Sequence, residues 1–348
     1  MPAAVAPGKI ILSGEHSVVY GAPALAVAVR QHIRIDLLPG AVAGISWRSP
    51  KGRLVSHDAA SLQALVARLD QHHQQFLEGN RAVESIMSSP EQLLFYAIAQ
   101  ARRLTTADSV LDSVLDSELL TRSEMIVDST LPLGAGMGSS AALVAAALVL
   151  FGQHLDMTHE QRIELAHAVR HCERLQHGRG SLIDAAAVCC GGRVRLKASV
   201  ITPVDGPGLG DGWFWINTGS PVVSTGVCVE AVRTRFADDQ PLWDQFAVTT
   251  EALIQADTDT QRAALVQENH RLLQHIGVVP SVVSAFVEQL EAHGGAGKIS
   301  GAGSVRGEAG GLLLAWLPQG DPGELAMPQH WRWGKLEEET QGVSYIGD

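Results

Sequence analysis

The stretch STLPLGAGMGSSAAL, Ser129–Leu143, sets three alternate glycines and two serines directly ahead of an apolar run, SAALVAAALVLFG. Glycine admits positive φ and removes the side chain, so successive N–H groups in such a loop can face one anion. A helix starting near Ser140 adds its unpaired N–H groups and the positive end of its dipole. The hydroxyls of Ser139 and Ser140 can bond phosphate oxygens or a magnesium ion. The same residues also suit a plain turn with a serine N-cap. Known nucleotide motifs do not fit. A P-loop requires GxxxxGK[ST], and AHGGAGKI has Ala292 and Ile299 at required positions. A dinucleotide fingerprint requires a third glycine where Ser139 stands. Protein-kinase HRD and DFG signatures and a GxSxG elbow are absent. His167 and His171 share a helical face as a zinc pair would, but HAVRH lacks the glutamate of HExxH and a third ligand. His72–His73 reads as surface and Cys189–Cys190 as core.

These residues need elements to hold them. KIILSGE reads as a strand entering a turn, and ALAVAVRQHIRIDLL as strand, being β-branched and partly alternating. DAASLQALVARLDQHHQQFLEG and PEQLLFYAIAQARRL have helical spacing, the second with Pro90 near its first turn. SEMIVDS is a strand leading into the glycine loop, and the run after Ser140 is a helix apolar on nearly all sides, hence buried. Thr158 and Gln161 have capping-box spacing at the head of THEQRIELAHAVRHCERL. HGRGSLIDAAAVCCGG, the strand GRVRLK, a Gly/Pro-rich loop TPVDGPGLGDG and the strand WFWINTG follow. TGVCVEAVRTRF, PLWDQFAVTTEALIQA, DTQRAALVQENHRLLQHIG and SVVSAFVEQLEAHG are helical, and LLLAWL is a strand. This pattern predicts an α+β architecture in both halves, divided between Ala185 and Gly212.

At 348 residues the chain is long enough for two domains. Hydrophobic residues at 46% and charged residues at 18% mark a folded protein rather than a disordered one. A net charge of −11 argues against a nucleic-acid surface but not against a small anionic ligand, which local donors would hold. Cys172, Cys189, Cys190 and Cys228 form neither a CxxC nor a disulfide framework, which favours a reducing compartment. MPAAVAPGKIIL lacks the basic flank of a signal peptide, and the longest apolar run, Ala141–Gly152, is too short to span a bilayer. A cytoplasmic protein with no membrane or nucleic-acid partner is expected.

Three segments occur together: APGKIILSGEHSVVYG (6–21), PLGAGMGSSAAL (132–143) and KISGAGSVRGEAGG (298–311). In order and spacing the chain resembles the GHMP small-molecule kinases along its whole length. The GEHSVVYG form, with INTGSPVVSTGVCVEAVR and ENHRLLQHIGV, is most similar to the branch that phosphorylates mevalonate in isoprenoid precursor synthesis. The resemblance implies a ribosomal-protein-S5-like N-terminal domain, residues 1–190, and a ferredoxin-like C-terminal domain, residues 191–348, with ATP and Mg2+ as cofactors and a small alcohol as substrate, in a chain that can pair as a homodimer. It implies that Pro132, Gly134, Ala135, Gly136, Met137, Gly138, Ser139, Ser140 and Ala141 wrap the ATP phosphates. Asp184 then matches the catalytic aspartate, which accepts the alcohol proton, and Lys9 its partner. Glu173, eleven residues before Asp184, stands where the resemblance places the family's magnesium-binding glutamate, with Ser140 as the second ligand. Glu15, His16 and Thr225 match the acceptor side, with His16 donating to the substrate carboxylate, and Gly301, Ala302 and Gly303 form a third glycine motif.

Taken singly, Asp184 would be an ordinary helix cap, Lys9 solvated, and Glu173 part of a solvated helical face. Two departures stand against the pattern. HGRGSLID replaces the family's HGxPSGxD, with Arg179, Gly180 and Leu182 at altered positions, so that Leu182 puts a bulky group where the family leaves room. GAGSVRGEAGG replaces GAGGGG, and its Arg306 suits either a phosphate or solvent. The competing expectations are a related kinase for phosphomevalonate or a sugar, and a nucleotide binder without turnover.

Overall fold

The longest strand explains the layout of the larger unit. In the computed structural model, which describes residues 1–49, 52–104, 122–132, 136–152, 156–178 and 182–347, β2 (Ala24–Pro39) pairs with β1 (Ala3–Ser13) between Leu25 and Asp36. Its other edge is shared. Ala24–Val27 take β6 (Arg193–Lys197), which continues into β7 (Val200–Pro203), and Ile33–Pro39 take β5 (Arg122–Ser129). The sheet runs on through β3 (Gly44–Arg48) to β4 (Leu54–His57), and β12 (Ser344–Ile346) closes the far edge beside β1. β3 with β5 is a parallel pair; the other described pairings are antiparallel.

Helices cover this sheet. α1 (Ala59–Leu77) is capped by Asp58, whose carboxylate accepts from the Ser61 amide. α2 (Glu91–Leu104) has Pro90 ahead of its first residue. α3 (Ser139–Gly152) is apolar on nearly all sides and buried without a break from Val144 to Gly152, because α2, α4 (His159–His177), α5 (Leu182–Cys190), β1 and β2 surround it. Both halves of the Thr158–Gln161 capping box form at the head of α4.

The smaller unit has an antiparallel sheet in the order β11 (Arg332–Lys335), β8 (Trp213–Asn217), β10 (Leu312–Trp316), β9 (Ala296–Ser300). α6 (Thr225–Phe236), α7 (Gln240–Ile254), α8 (Asp259–His275) and α9 (Ser281–Ala292) complete it. Its own apolar core centres on Trp243, Phe246, Phe286, Ile299 and Leu313. Among the described residues, no helix is long and apolar enough to cross a membrane.

The expected division at residue 190 needs revision. The β6–β7 hairpin, residues 193–203, pairs with β2, so the chain leaves the larger sheet after Pro203, within the Ala185–Gly212 window, and β12 later returns to it. His73 is buried rather than on the surface, its Nε2 3.0 Å from the Gly178 carbonyl oxygen. Trp243 joins the two units: its ring stacks on Tyr20 at 4.0 Å between centroids, and its Nε1 donates to the Phe236 carbonyl at 2.9 Å. Trp243→Ala removes a side chain that is 1% exposed, and a loss of about 3–5 kcal/mol in chemical denaturation is expected. A loss below about 1 kcal/mol would show that the core collapses into the gap.

Candidate active site

Lys9 lies in the buried middle of β1, and Asp184 in the first turn of α5. Their side chains meet, Lys9 Nζ to Asp184 Oδ1 at 3.0 Å, with the lysine 3% and the aspartate 26% exposed. The ammonium is therefore inside the fold while the carboxylate looks out of it. Lys9 is fixed from both ends. Its backbone N–H donates to the Met137 carbonyl oxygen of the glycine loop at 2.9 Å. Its side chain crosses Gly138, where a Cβ would come within 2.8 Å of Lys9 Cγ.

Gly136 and Gly138 have φ of +87° and +75°, conformations that an L side chain rarely adopts. They turn the chain so that α3 starts at once from Ser139. The N-terminal N–H groups of a buried 14-residue helix thus open beside the Lys9–Asp184 pair. Pro132 and Met137 flank the turn, Met137 fully buried, and Ala141 is buried within the first turn of α3. Gly134 and Ala135 lie outside the described residues, as do Arg179 and Gly180.

The second pair is Ser140 and Glu173. Ser140 Oγ donates to Glu173 Oε1 at 2.6 Å, linking the first turn of α3 to α4. Glu173 is 2% exposed. Burial, with the negative charge of Asp184 adding to it, pushes its carboxyl up to about 8, against the bond from Ser140 and the charge of Lys9. His177 Nε2 lies 4.0 Å from Glu173, and burial lowers that imidazole's pKa. The solvated face expected of Glu173 taken singly is therefore not found. Two hard oxygen donors, one a buried carboxylate without a full counter-charge, fit a magnesium ion, which takes few protein ligands and keeps water or phosphate oxygens.

A pH dependence follows. A divalent cation needs the ionised carboxylate, and Glu173 is largely protonated below about 8. Mg2+ uptake is expected to release a proton and to strengthen up to about tenfold per pH unit on rising toward pH 8. Titration calorimetry in buffers of different ionisation enthalpy checks this; uptake without proton release at pH 6.5 would remove Glu173 from the ligand set.

On the other side, His16 closes a turn after β1 with φ +59°. Its Nε2 is 3.0 Å from the Ala302 carbonyl oxygen, which can only accept, so Nε2 carries the proton. Burial lowers the ring's pKa and keeps it neutral, leaving Nδ1 as an acceptor. This corrects the expectation that His16 donates to a carboxylate: its donor is already engaged. Glu15 is paired with the ammonium of Lys298, both fully buried. Burial raises the Glu15 carboxyl and lowers the Lys298 ammonium. Among the described residues, Glu15 Oε2, His16 Nδ1 and Ser17 Oγ are buried without partners. Three such atoms in consecutive residues are a place a polar ligand would satisfy.

The third glycine motif meets this turn through Ala302, and Ile11 N–H donates to Ser300 Oγ at 2.8 Å. Thr225 is the exposed first residue of α6, and among the described residues no hydrogen bond or ion pair joins it to Lys9 or Asp184. Leu182 is 4% exposed and belongs to the large core rather than to open space. Arg306 is exposed; its carbonyl accepts from Ser304 Oγ. His171 sits 3.3 Å from the Tyr96 hydroxyl, itself bonded to Asp70. The motifs assign no role to Lys298 or His177. Lys298 is the first residue of the third segment, three before Gly301, and that position is the available signal.

Fold and sequence agree with known proteins. Residues 104–192 match the family model for the GHMP kinases N terminal domain. The mevalonate kinase of Thermococcus sibiricus is 29% identical over 337 residues, covering 91% of this chain and 89% of its own. That of Bos taurus is 28% identical over 343 residues, covering 86% and 82%. The crystal structure of the Methanococcus jannaschii mevalonate kinase superposes with a TM-score of 0.73 at 15% identity, over 97% of this chain and 98% of that one. Residues 104–192 therefore carry a GHMP kinases N terminal domain, and the fold over the rest of the chain is that of the same kinases. Within that family the chain is most similar to the mevalonate kinases.

Proposed function

We propose that the chain transfers the γ-phosphoryl group of ATP to the 5-hydroxyl of mevalonate, giving ADP and 5-phosphomevalonate. The observation that carries this reading is the Lys9–Asp184 pair held beside the N-terminus of α3, with the Ser140–Glu173 pair adjoining it. Phosphoryl transfer asks mainly for positioning and for neutralised charge on the transferred group. The α3 N–H groups and the Gly136–Gly138 turn would receive the β- and γ-phosphates. Lys9 orients the Asp184 carboxylate, whose free oxygen accepts the hydroxyl proton as the bond to phosphorus forms. Ser140 and Glu173 would hold Mg2+, which supplies positive charge to the phosphate oxygens. His16 Nδ1 would accept from a hydroxyl of the alcohol, and Thr225 would close the acceptor side.

The competing acceptors share this machinery and differ in the pocket. A phosphorylated acceptor needs a further basic cluster; Arg306 is exposed, and Lys298 is neutralised by Glu15. The four unpaired cysteines support a reducing compartment, the cytoplasm. Phosphorus NMR of a reaction with Mg-ATP and mevalonate tests the proposal: a new phosphomonoester coupled to the 5-methylene protons is expected. ATP consumption that yields only ADP and inorganic phosphate would overturn it.

A further inference from the structure

The end of β1 and the turn after it, residues 11–17, belong to the larger unit, yet much of their polar support comes from the smaller one. Ser300 Oγ accepts from the Ile11 amide at 2.8 Å. Thr250 Oγ1 lies 2.7 Å from Ser13 Oγ, and Asn269 Nδ2 donates to the same hydroxyl at 3.0 Å. Ala302 holds the His16 ring. Lys298 is the charged member of this set and is 0% exposed. Its Nζ donates to the Glu15 carboxylate, to the Ile11 carbonyl at 3.3 Å and to the Ile299 carbonyl at 2.6 Å. Lys9 and His270 are near enough for the charges to be felt between them.

Burying an ion pair gains little stability over an apolar pair of equal size. It does fix a position, because the three acceptors of Lys298 lie on both units and all three bonds are directed. What is fixed is unusual. His16, next in the chain to Glu15, has a left-handed backbone that a side-chain-bearing residue keeps only where its surroundings over-determine it.

We propose that Lys298 is a positioning residue for the acceptor side: through Glu15 and the Ile11 carbonyl it holds the Glu15–Ser17 turn, and with it the His16 ring, in the geometry that receives the alcohol. This rests on the kinase reading above and assigns Lys298 no contact with reacting atoms.

The near-isosteric Lys298→Met, Glu15→Gln and the double variant test it, with nucleotide affinity measured by equilibrium binding of AMP-PNP. Lys298→Met is expected to raise the KM for mevalonate about tenfold or more, with AMP-PNP affinity within about twofold of the parent. The double variant should be no worse than the worse single, since both act through one contact. A crystal structure of Lys298→Met should show His16 out of the left-handed region and its ring away from Ala302. Parallel loss of nucleotide and acceptor constants, or a His16 that has not moved, would overturn the assignment. If Lys298→Met fails to fold, Glu15→Gln carries the same two readouts. A parent enzyme inactive on mevalonate would sink the acceptor reading alone, because the His16 conformation still decides the role of Lys298.

Discussion

Asp184→Asn is expected to lower kcat on mevalonate by a factor of about 100 or more, the scale of losing a positioned acid–base group. The substitution keeps the side chain's size and its place in the first turn of α5 but removes the charge that faces Lys9 at 3.0 Å. Nucleotide affinity should stay within about twofold, since the groups proposed to receive the phosphates belong to α3 and the glycine turn. A second signature separates charge from shape. Asp184 is one of the groups that push the Glu173 carboxyl up to about 8. Without it, Glu173 should ionise at lower pH, and proton release on Mg2+ uptake should move down with it. Unchanged turnover would mean that Asp184 takes no proton and that positioning alone accelerates the transfer.

Gly138→Ala should be nearly as damaging, for a different reason. A left-handed φ of +75° costs a side-chain-bearing residue about 1–2 kcal/mol. The added Cβ would also lie 2.8 Å from Lys9 Cγ and 3.2 Å from Lys9 Cε. Lys9 must yield, because among the described residues its side chain is anchored at Asp184 alone. A displacement of about 1 Å at a reacting site can cost about 100-fold, and a fall of that order in kcat/KM is expected. Gly136→Ala is the control. Its φ is also left-handed, +87°, but among the described residues its Cβ would meet only the Ser300 carbonyl oxygen, at an ordinary 3.7 Å. Backbone strain is then shared by both variants and the push on Lys9 by one. Equal losses would remove Lys9 displacement as the cause.

Part of this is legible in the residues because it is local. The glycine turn running into SAALVAAALVLFG is at once a loop and a buried helix, and Thr158 with Gln161 announces the start of α4. What escapes a sequence reading depends on partners far away in the chain. Residues 193–203 look like the start of a new domain until Ala24–Val27 are seen to offer them a sheet edge. Nothing local marks Lys298 as buried; it becomes so only when β9 meets β1. The burial of His73 has a local signal, since it continues the stripe of Leu62, Leu65, Val66 and Leu69 at helical spacing. The hydrogen-bonding role of His16 has none, because its tautomer is set by Ala302, 286 residues away. The three motifs carry the site further than periodicity can, and one departure from them, at Arg179 and Gly180, falls outside the described residues.

The most direct measurement is ADP release from Mg-ATP against mevalonate, phosphomevalonate, galactose, homoserine and no acceptor. Turnover with mevalonate, at background level with the others, is the expected result. Turnover with a different acceptor, and none with mevalonate, would contradict the assignment of substrate while leaving the machinery proposed for Lys9, Ser140, Glu173 and Asp184 in place.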